Sequence, residues 1–297
     1  MRKIAGPVLA ALGAFLVVLG ALAQFYAPGQ LMKTPIDSHT TTNLSGSAQL
    51  SDGTKLNTFP VLAWSVTLGD TKKSDSDVAV FSTSSCLVKD EGDISGCVSS
   101  DDPQKRLLSA STDNFASDRV TALAVNDPKY LPADAQPHDG LTNKWPFDAQ
   151  KKTYPFWDGT VGHAVDAAYQ GTKNLDGLDT LVYQTNVTGV PIEIAADVPG
   201  TYDDQTTIYI DPVTGSIINQ TDHQVQKDAS GATILDLNLT FTEAQIQTKV
   251  DEANSNTKQL NLVRHTVPLV GYLMGIPALL IGLALTARSR PRRPAPR

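Results

Sequence analysis

The sequence is poor in the residue types that most often carry chemistry. Of its 297 residues only two are cysteines, Cys86 and Cys97, and aromatics make up 6%. The five histidines, His39, His138, His163, His223 and His265, include no pair at the i, i+4 spacing of a helical metal site. HExxH, GxSxG, P-loop and GxGxxG patterns are all missing, and the segment 222–228 does not supply the spaced oxygen ligands of a calcium loop. Neither end carries an acid. All 31 acids lie between Ala27 and His265, with 17 of the 24 Lys and Arg residues, so that segment has a formal charge of −14 and the two ends together +7. An acidic middle without a long basic stripe argues against nucleic-acid binding. No cofactor and no enzymatic activity are expected. Asp101-Asp102 and Asp203-Asp204 read as solvated turn residues.

What the chain does have is two long apolar runs. Val267–Ala287 (VPLVGYLMGIPALLIGLALTA) holds 21 residues without a charge, and a bilayer core takes about 20 as a helix. Pro268 and Pro277 are tolerated in membrane helices, where neighbours re-satisfy the freed backbone groups. The tail RSRPRRPAPR adds Arg288, Arg290, Arg292, Arg293 and Arg297, marking the cytoplasmic side. The first run, Ile4–Ala23, follows Met1-Arg2-Lys3 and has two readings. Ala21-Leu22-Ala23 fits a cleaved signal peptide, and the uncharged length of 20 residues favours an uncleaved anchor. Under either reading the middle is exported. The expected domains are an anchor over 1–26, an extracytoplasmic domain over 27–265, a transmembrane helix over 266–287 and a basic cytoplasmic tail over 288–297. The expected location is the cell membrane, with two passes and both termini cytoplasmic.

The exported middle is rich in Gly, Pro, Asp, Ser and Thr, which suits short strands and turns. The expected class is α+β, with an antiparallel, twisted, barrel-like ectodomain and a few helices. Strand patterns cover Thr40–Leu50, Phe59–Leu68 and Asp77–Ser82. Asp113–Val125 is open between a helix capped by Asp113 and a strand over Val120–Val125, and Asn126–Gly140 reads as an irregular loop. Asp176–Ile194 predicts a hairpin turning at Thr188–Pro191. Thr206–Asn219 predicts another, turning on Asp211-Pro212-Val213-Thr214-Gly215. A further pair, Asp222–Asp228 and Thr233–Phe241, turns at Ala229-Ser230-Gly231. Thr242 and Gln245 fit a capping box opening a helix over Glu243–Val263, with Ile246, Val250 and Ala253 on one face.

Cys86 and Cys97 lie in the exported part, where disulfides persist. Two buried thiols and a metal pair are the alternatives; the lack of an adjacent His or a second Cys pair argues against zinc. A disulfide closing this short loop would contribute roughly 2–3 kcal/mol. The most individual stretch is Gly140–Gly162. It concentrates Trp145, Phe147, Tyr154, Phe156 and Trp157 with Lys144, Lys151 and Lys152. Its plainer reading is a satellite core with an exposed turn at Asp148–Lys152. Its functional reading is an aromatic-lined mouth whose lysines meet an anionic lipid head group.

Together the two terminal runs, the segment Trp145–Asp158 (WPFDAQKKTYPFWD), the IYIDPVTG turn and the LTFTEAQ stretch resemble the actinobacterial "porin PorA family" across essentially the whole chain. The membrane topology argued here conflicts with that label, because long apolar helices would arrest export of an outer-membrane barrel. The resemblance extends to the lipoglycan-biosynthesis protein LmcA. It implies an envelope protein linked to lipomannan and lipoarabinomannan assembly, with an exported lipid-binding domain similar in architecture to the two-anchor scavenger receptors. It brings no catalytic residues. The expected partners are therefore the membrane, a phospholipid or glycolipid ligand, and an envelope glycosyltransferase or transporter. A scaffold without a ligand cavity is the rival reading.

Overall fold

The computed structural model describes residues 2–92, 94–195 and 197–289, with side chains between Ile4 and Arg288. Most of the basic tail, including Arg290, Arg292, Arg293 and Arg297, lies outside the described residues, as does Met1. The chain divides into two compact units, one of residues 1–33 with 255–297 and one of residues 34–254.

In the first unit, helix α1 (Arg2–Ala21) passes through a π turn (Leu22–Tyr26) into α2 (Ala27–Leu31). At the other end of the chain, α3 (Glu243–Asn261), whose residues 243–254 belong to the second unit, passes through a second π turn (Leu262–Thr266) into α4 (Val267–Ser289). Both helical stretches contain a run long and apolar enough to cross a membrane. Leu12, Phe15 and Val18 on α1, and Leu273, Met274 and Leu280 on α4, are exposed. Such a skin is costly in water and natural in lipid.

α1 and α4 pack against each other, and their glycines explain how closely. Gly6, Gly13 and Gly20 recur every seven residues. A Cβ on Gly6 would meet the Thr286 hydroxyl at 2.7 Å, one on Gly13 would strike the Leu279 backbone, and one on Gly20 would approach Gly271 at 3.5 Å. The partner numbers fall as the glycine numbers rise, so the helices run antiparallel. Small residues that admit backbone contact are the usual means of pairing helices in lipid, where apolar burial supplies no drive.

The second unit is a ten-stranded antiparallel half-barrel. Its strands are β1 (His39–Ser51), β2 (Leu56–Gly69), β3 (Val78–Lys89), β4 (Leu107–Asp118), β5 (Tyr154–Asp158), β6 (His163–Leu175), β7 (Leu178–Ala195), β8 (Val198–Ile210), β9 (Ile217–Asp228) and β10 (Thr233–Phe241). Their order across the sheet is β4-β3-β2-β1-β10-β9-β8-β7-β6-β5, so β4 and β5 are the edges. A loop segment runs between those edges. Single-residue bridges link Ser117 of β4 to Ala124, Leu123 to Leu141, and Leu141 to Phe156 of β5. Gly140 precedes Leu141 with φ +67°, and a Cβ there would meet the Pro155 carbonyl oxygen at 2.6 Å. Exposed edges invite pairing with other chains, and this segment covers the Ala116–Asp118 end of β4 and Pro155–Trp157 of β5.

Several expectations need correction. Asp113–Val125 opens neither with a helix nor with a strand at Val120; the strand is β4, ending at Asp118. Phe115 is buried against Phe81, with ring centroids 5.2 Å apart, while Asp118 turns the chain by accepting the Val120 and Thr121 amides. The predicted turn at Thr188–Pro191 is a bulge inside β7, where the register with β8 shifts between Val187 and Val190 and Gly189 takes φ +63°. The true turn lies upstream at Asp176-Gly177, both at positive φ, and β6 is an addition. Thr242 caps α3 by accepting the Gln245 amide at 3.2 Å, but the reciprocal half of the box is not made. Gln245 Oε1 instead accepts the Asn43 amide and side chain, both at 3.2 Å. A long-range bond to β1 has replaced a local one.

Three of the local expectations hold. The DPVTG turn joins β8 to β9, and Asp211 accepts the Thr214 amide and hydroxyl at 3.0 and 2.6 Å. Val250 and Ala253 of α3 pack on Leu178 and Ile218. Cys86, within β3, is bonded to Cys97.

Candidate functional site

Strand β8 alternates residue by residue. Tyr202, Asp204, Thr206, Ile208 and Ile210 are all buried and occupy every second position, so they share the inward face. Along that face the chemistry changes midway. Ile208 and Ile210 join Leu141, Trp145, Tyr154, Leu181 and Tyr183 in a closed core. Tyr202, Asp204 and Thr206 line a cavity of about 480 Å³.

The closed end is built by the aromatic segment. Residues 145–149 lie along the DPVTG turn: the Trp145 amide donates to the Gly215 carbonyl at 2.8 Å, and the Ala149 amide to the Pro212 carbonyl at 2.9 Å. Gly215 adopts φ +72°, and a Cβ there would strike the Trp145 carbonyl oxygen. Trp145 is fully buried, with ring centroids 5.1 Å from both Phe156 and Tyr183. The Tyr183 hydroxyl donates to the Gln150 carbonyl at 2.6 Å, and the Gln150 amide donates to the Tyr154 hydroxyl at 2.9 Å. Burial pushes the Tyr183 hydroxyl pKa up.

The predicted site residues therefore separate. Trp145 and Tyr154 belong to the core, and Phe156 bridges the two ends, stacking on Trp145 and lining the cavity. Trp157 also lines the cavity, its ring 4.2 Å from that of His138. Phe147 is half-buried and carries the Lys144 ammonium over its ring at 3.9 Å. Loss of hydration lowers the Lys144 pKa to about 8, against the opposing pull of Asp211. Lys151 and Lys152 are exposed, Lys152 lying 5.0 Å from the centre of the Tyr154 ring.

The open end is carboxylate-lined. Asp204 is 6% exposed. Its Oδ2 accepts the Thr206 hydroxyl at 3.0 Å, and its Oδ1 is buried with no hydrogen-bond partner among the described residues. The same Thr206 hydroxyl lies 3.3 Å from Asp222 Oδ1, while Asp222 Oδ2 accepts Gln224 Nε2 at 2.8 Å. Burial, then the neighbouring Asp222 carboxyl, pushes the Asp204 pKa up to about 8; burial also raises that of Asp222. Asp158 lines the cavity too. Asp113 of β4 lines it as well and is 2.9 Å from His138 Nε2. Among the described residues no group of three His, Cys, Asp or Glu side chains is placed to hold a metal ion.

Asp203-Asp204 is thus no solvated turn. It sits within β8, with Asp203 outside on Lys227 at 2.7 Å and Asp204 inside. The signal was the two-residue period of Tyr202, Ile208 and Ile210, which puts position 204 on their face once the strand is extended upstream.

The comparisons with known proteins are uneven. A DUF1329 family protein from Desulfovibrio piger superposes with a TM-score of only 0.17 and 9% identity, over 79% of this chain and 91% of that one. A protein named Porin PorA from Corynebacterium amycolatum is 30% identical over 95 residues, 28% of this chain; the chain spans about a quarter (25%) of that relative's length. The family model described as Porin PorA matches residues 5–284, nearly the whole sequence. The chain belongs to the Porin PorA family.

Proposed function

We propose that this chain is a two-pass protein of the cell envelope, both termini cytoplasmic. In this reading its half-barrel lies outside the membrane and binds the polar part of an envelope lipid, phospholipid or glycolipid, in support of lipoglycan assembly. The observation that carries the reading is a ligand-sized polar cavity in a domain whose chain also holds two membrane-length helices. The antiparallel pairing of α1 and α4 supports placing both termini on one side, and the arginines of the tail favour the inner side. The cavity walls are polar, so the headgroup and not the acyl chains is what enters; carboxylates disfavour a phosphate there. The family name points to a non-enzymatic protein.

The word porin in the relative's name fits less well. The wall of a membrane barrel needs an apolar outer band. Here Ser45, Ser47, Gln205, Thr207, Thr221 and His223 line a shallow polar groove on the sheet. The scaffold reading, a docking partner for a glycosyltransferase or transporter, is favoured by one observation: most of the aromatic segment is packed as core.

Native mass spectrometry of the full chain, purified in nanodiscs from a host with a complete envelope, separates the two. A stoichiometric co-purifying phospholipid or glycolipid supports lipid binding. A clean protein mass, unchanged after incubation with envelope lipids, overturns it in favour of the scaffold.

A further inference from the structure

The half-barrel cavity has more acceptors and more negative charge than its walls answer. Among the described residues, four carboxylates line it, Asp113, Asp158, Asp204 and Asp222, and none that lines it is Lys or Arg. His138 answers Asp113. For the other three, the contacts among the described residues are hydroxyls, amides and one another. The single Thr206 hydroxyl proton lies between Asp204 Oδ2 and Asp222 Oδ1, which leaves the buried Asp204 Oδ1 without a donor. A buried acceptor without a donor is costly, and a buried charge without a counter-charge more so. Protonation lowers that cost, in line with the raised Asp204 and Asp222 pKa values.

Ligand classes can be ranked on that geometry. An anionic group would meet like charge. A metal ion needs three or more grouped ligands, which the described residues do not provide. A neutral polyol would offer donors but no charge. An organic ammonium offers three N–H donors and a positive charge, and its carbon skeleton would lie against aromatic rings of the same cavity, which Trp157, Phe156 and Tyr202 line.

We propose that the half-barrel cavity binds a primary ammonium group, with Asp204 and Asp222 as its counter-ions and Trp157 against its carbon skeleton. This rests on the lipid-headgroup reading only in taking the cavity as a ligand site; the amine can come from a free molecule or from a lipid headgroup. The groups facing Asp204 are Asp222 from β9, Asp158 from β5 and Tyr202 on its own strand; Asp113 lines the cavity too and is met by His138. None is a fixed cation.

The test uses the full chain in phosphatidylcholine nanodiscs, which lack primary amines, titrated calorimetrically at pH 6.5 with glucosamine and with its neutral counterpart N-acetylglucosamine. Glucosamine is expected to bind at least tenfold more tightly. Its binding should release up to one proton, seen as a heat that depends on the buffer. Asp204→Asn and, independently, Asp222→Asn should reduce the preference to threefold or less while thermal unfolding stays cooperative. Equal affinity for the two sugars, binding of neither, or an undiminished preference in both variants overturns the proposal. Adding phosphatidylethanolamine to the nanodiscs assigns the source: competition with glucosamine marks a lipid headgroup, and its absence a free amine. A co-purified lipid together with equal sugar affinities would sink the ammonium assignment alone.

Discussion

The inward face of β8 carries two environments within ten residues, and they differ in what fills them. At the Ile208–Ile210 end the sequence supplies its own plug, the segment around Trp145, seated on the DPVTG turn. At the Asp204–Thr206 end no described residue plays that part, and a cavity of about 480 Å³ remains, lined from β4, β5, β6, β7, β8 and β9. Strand and pleat are the same at both ends. A side chain that finds apolar company contributes to stability, whereas a buried carboxyl with one bare oxygen costs stability and is kept for another reason. In the function proposed above, the filled end serves as structure and the open end as the ligand site.

The sharpest break of that contrast is Trp145→Ala. Removing a fully buried indole that touches Phe156 and Tyr183 should cost about 3–5 kcal/mol in denaturant unfolding. Trp145→Phe should cost much less, about 1 kcal/mol, since the indole Nε1 has no partner to lose. A loss below about 1 kcal/mol for the alanine variant would mean the segment is not the plug described here. Gly215→Ala attacks the same contact from the turn. Positive φ and the collision with the Trp145 carbonyl should together cost about 2–3 kcal/mol, read as a lowered unfolding midpoint.

At the open end the sign reverses, and pH shows it. The folded Asp204 pKa, about 8, stands above the ordinary carboxylate value of 3.8. Between those values the native state binds more protons than the unfolded chain, so stability falls as pH rises through that window. Asp204→Asn cannot ionise. It should leave stability near wild type at pH 5 and raise it at pH 8, by on the order of 1–3 kcal/mol. Thermal unfolding of both chains across pH 5–8 checks this, and parallel curves would show that the carboxyl is not destabilised by its surroundings.

How much of this was legible in the sequence follows from the range of the interactions. The terminal helices, the DPVTG hairpin, the β9–β10 pair and the Ile246–Val250–Ala253 face depend on neighbours within a few residues, and their patterns predict them. The bulge at Gly189 does not. Gly-Val-Pro looks like a turn locally, and only the pairing of β7 with β8 on both sides keeps the strand running. The half-made capping box is similar, because Asn43 lies 202 residues from Gln245. The cavity was hidden for the same reason: Asp158, Asp204 and Asp222 come from three strands and meet only in the folded sheet. The aromatic cluster was visible as composition, but its division into plug and cavity wall depends on which rings reach Tyr183 and which reach His138.

The mildest perturbation concerns the lysines beside the plug. Lys151 and Lys152 are exposed, so replacing both with alanine should change stability by less than about 0.5 kcal/mol. Lys144 differs because its ammonium lies over Phe147 and has lost hydration. Its folded pKa, about 8, is below the ordinary 10.5, so the unfolded chain binds the proton more readily and stability rises with pH through that interval. Lys144→Met keeps the stem's packing and removes the charge. It should stabilise the chain at pH 7 by about 1 kcal/mol and lose that advantage near pH 10. If the methionine variant is instead less stable at pH 7, the ammonium over Phe147 is a net favourable contact, and the filled end owes part of its stability to a charge.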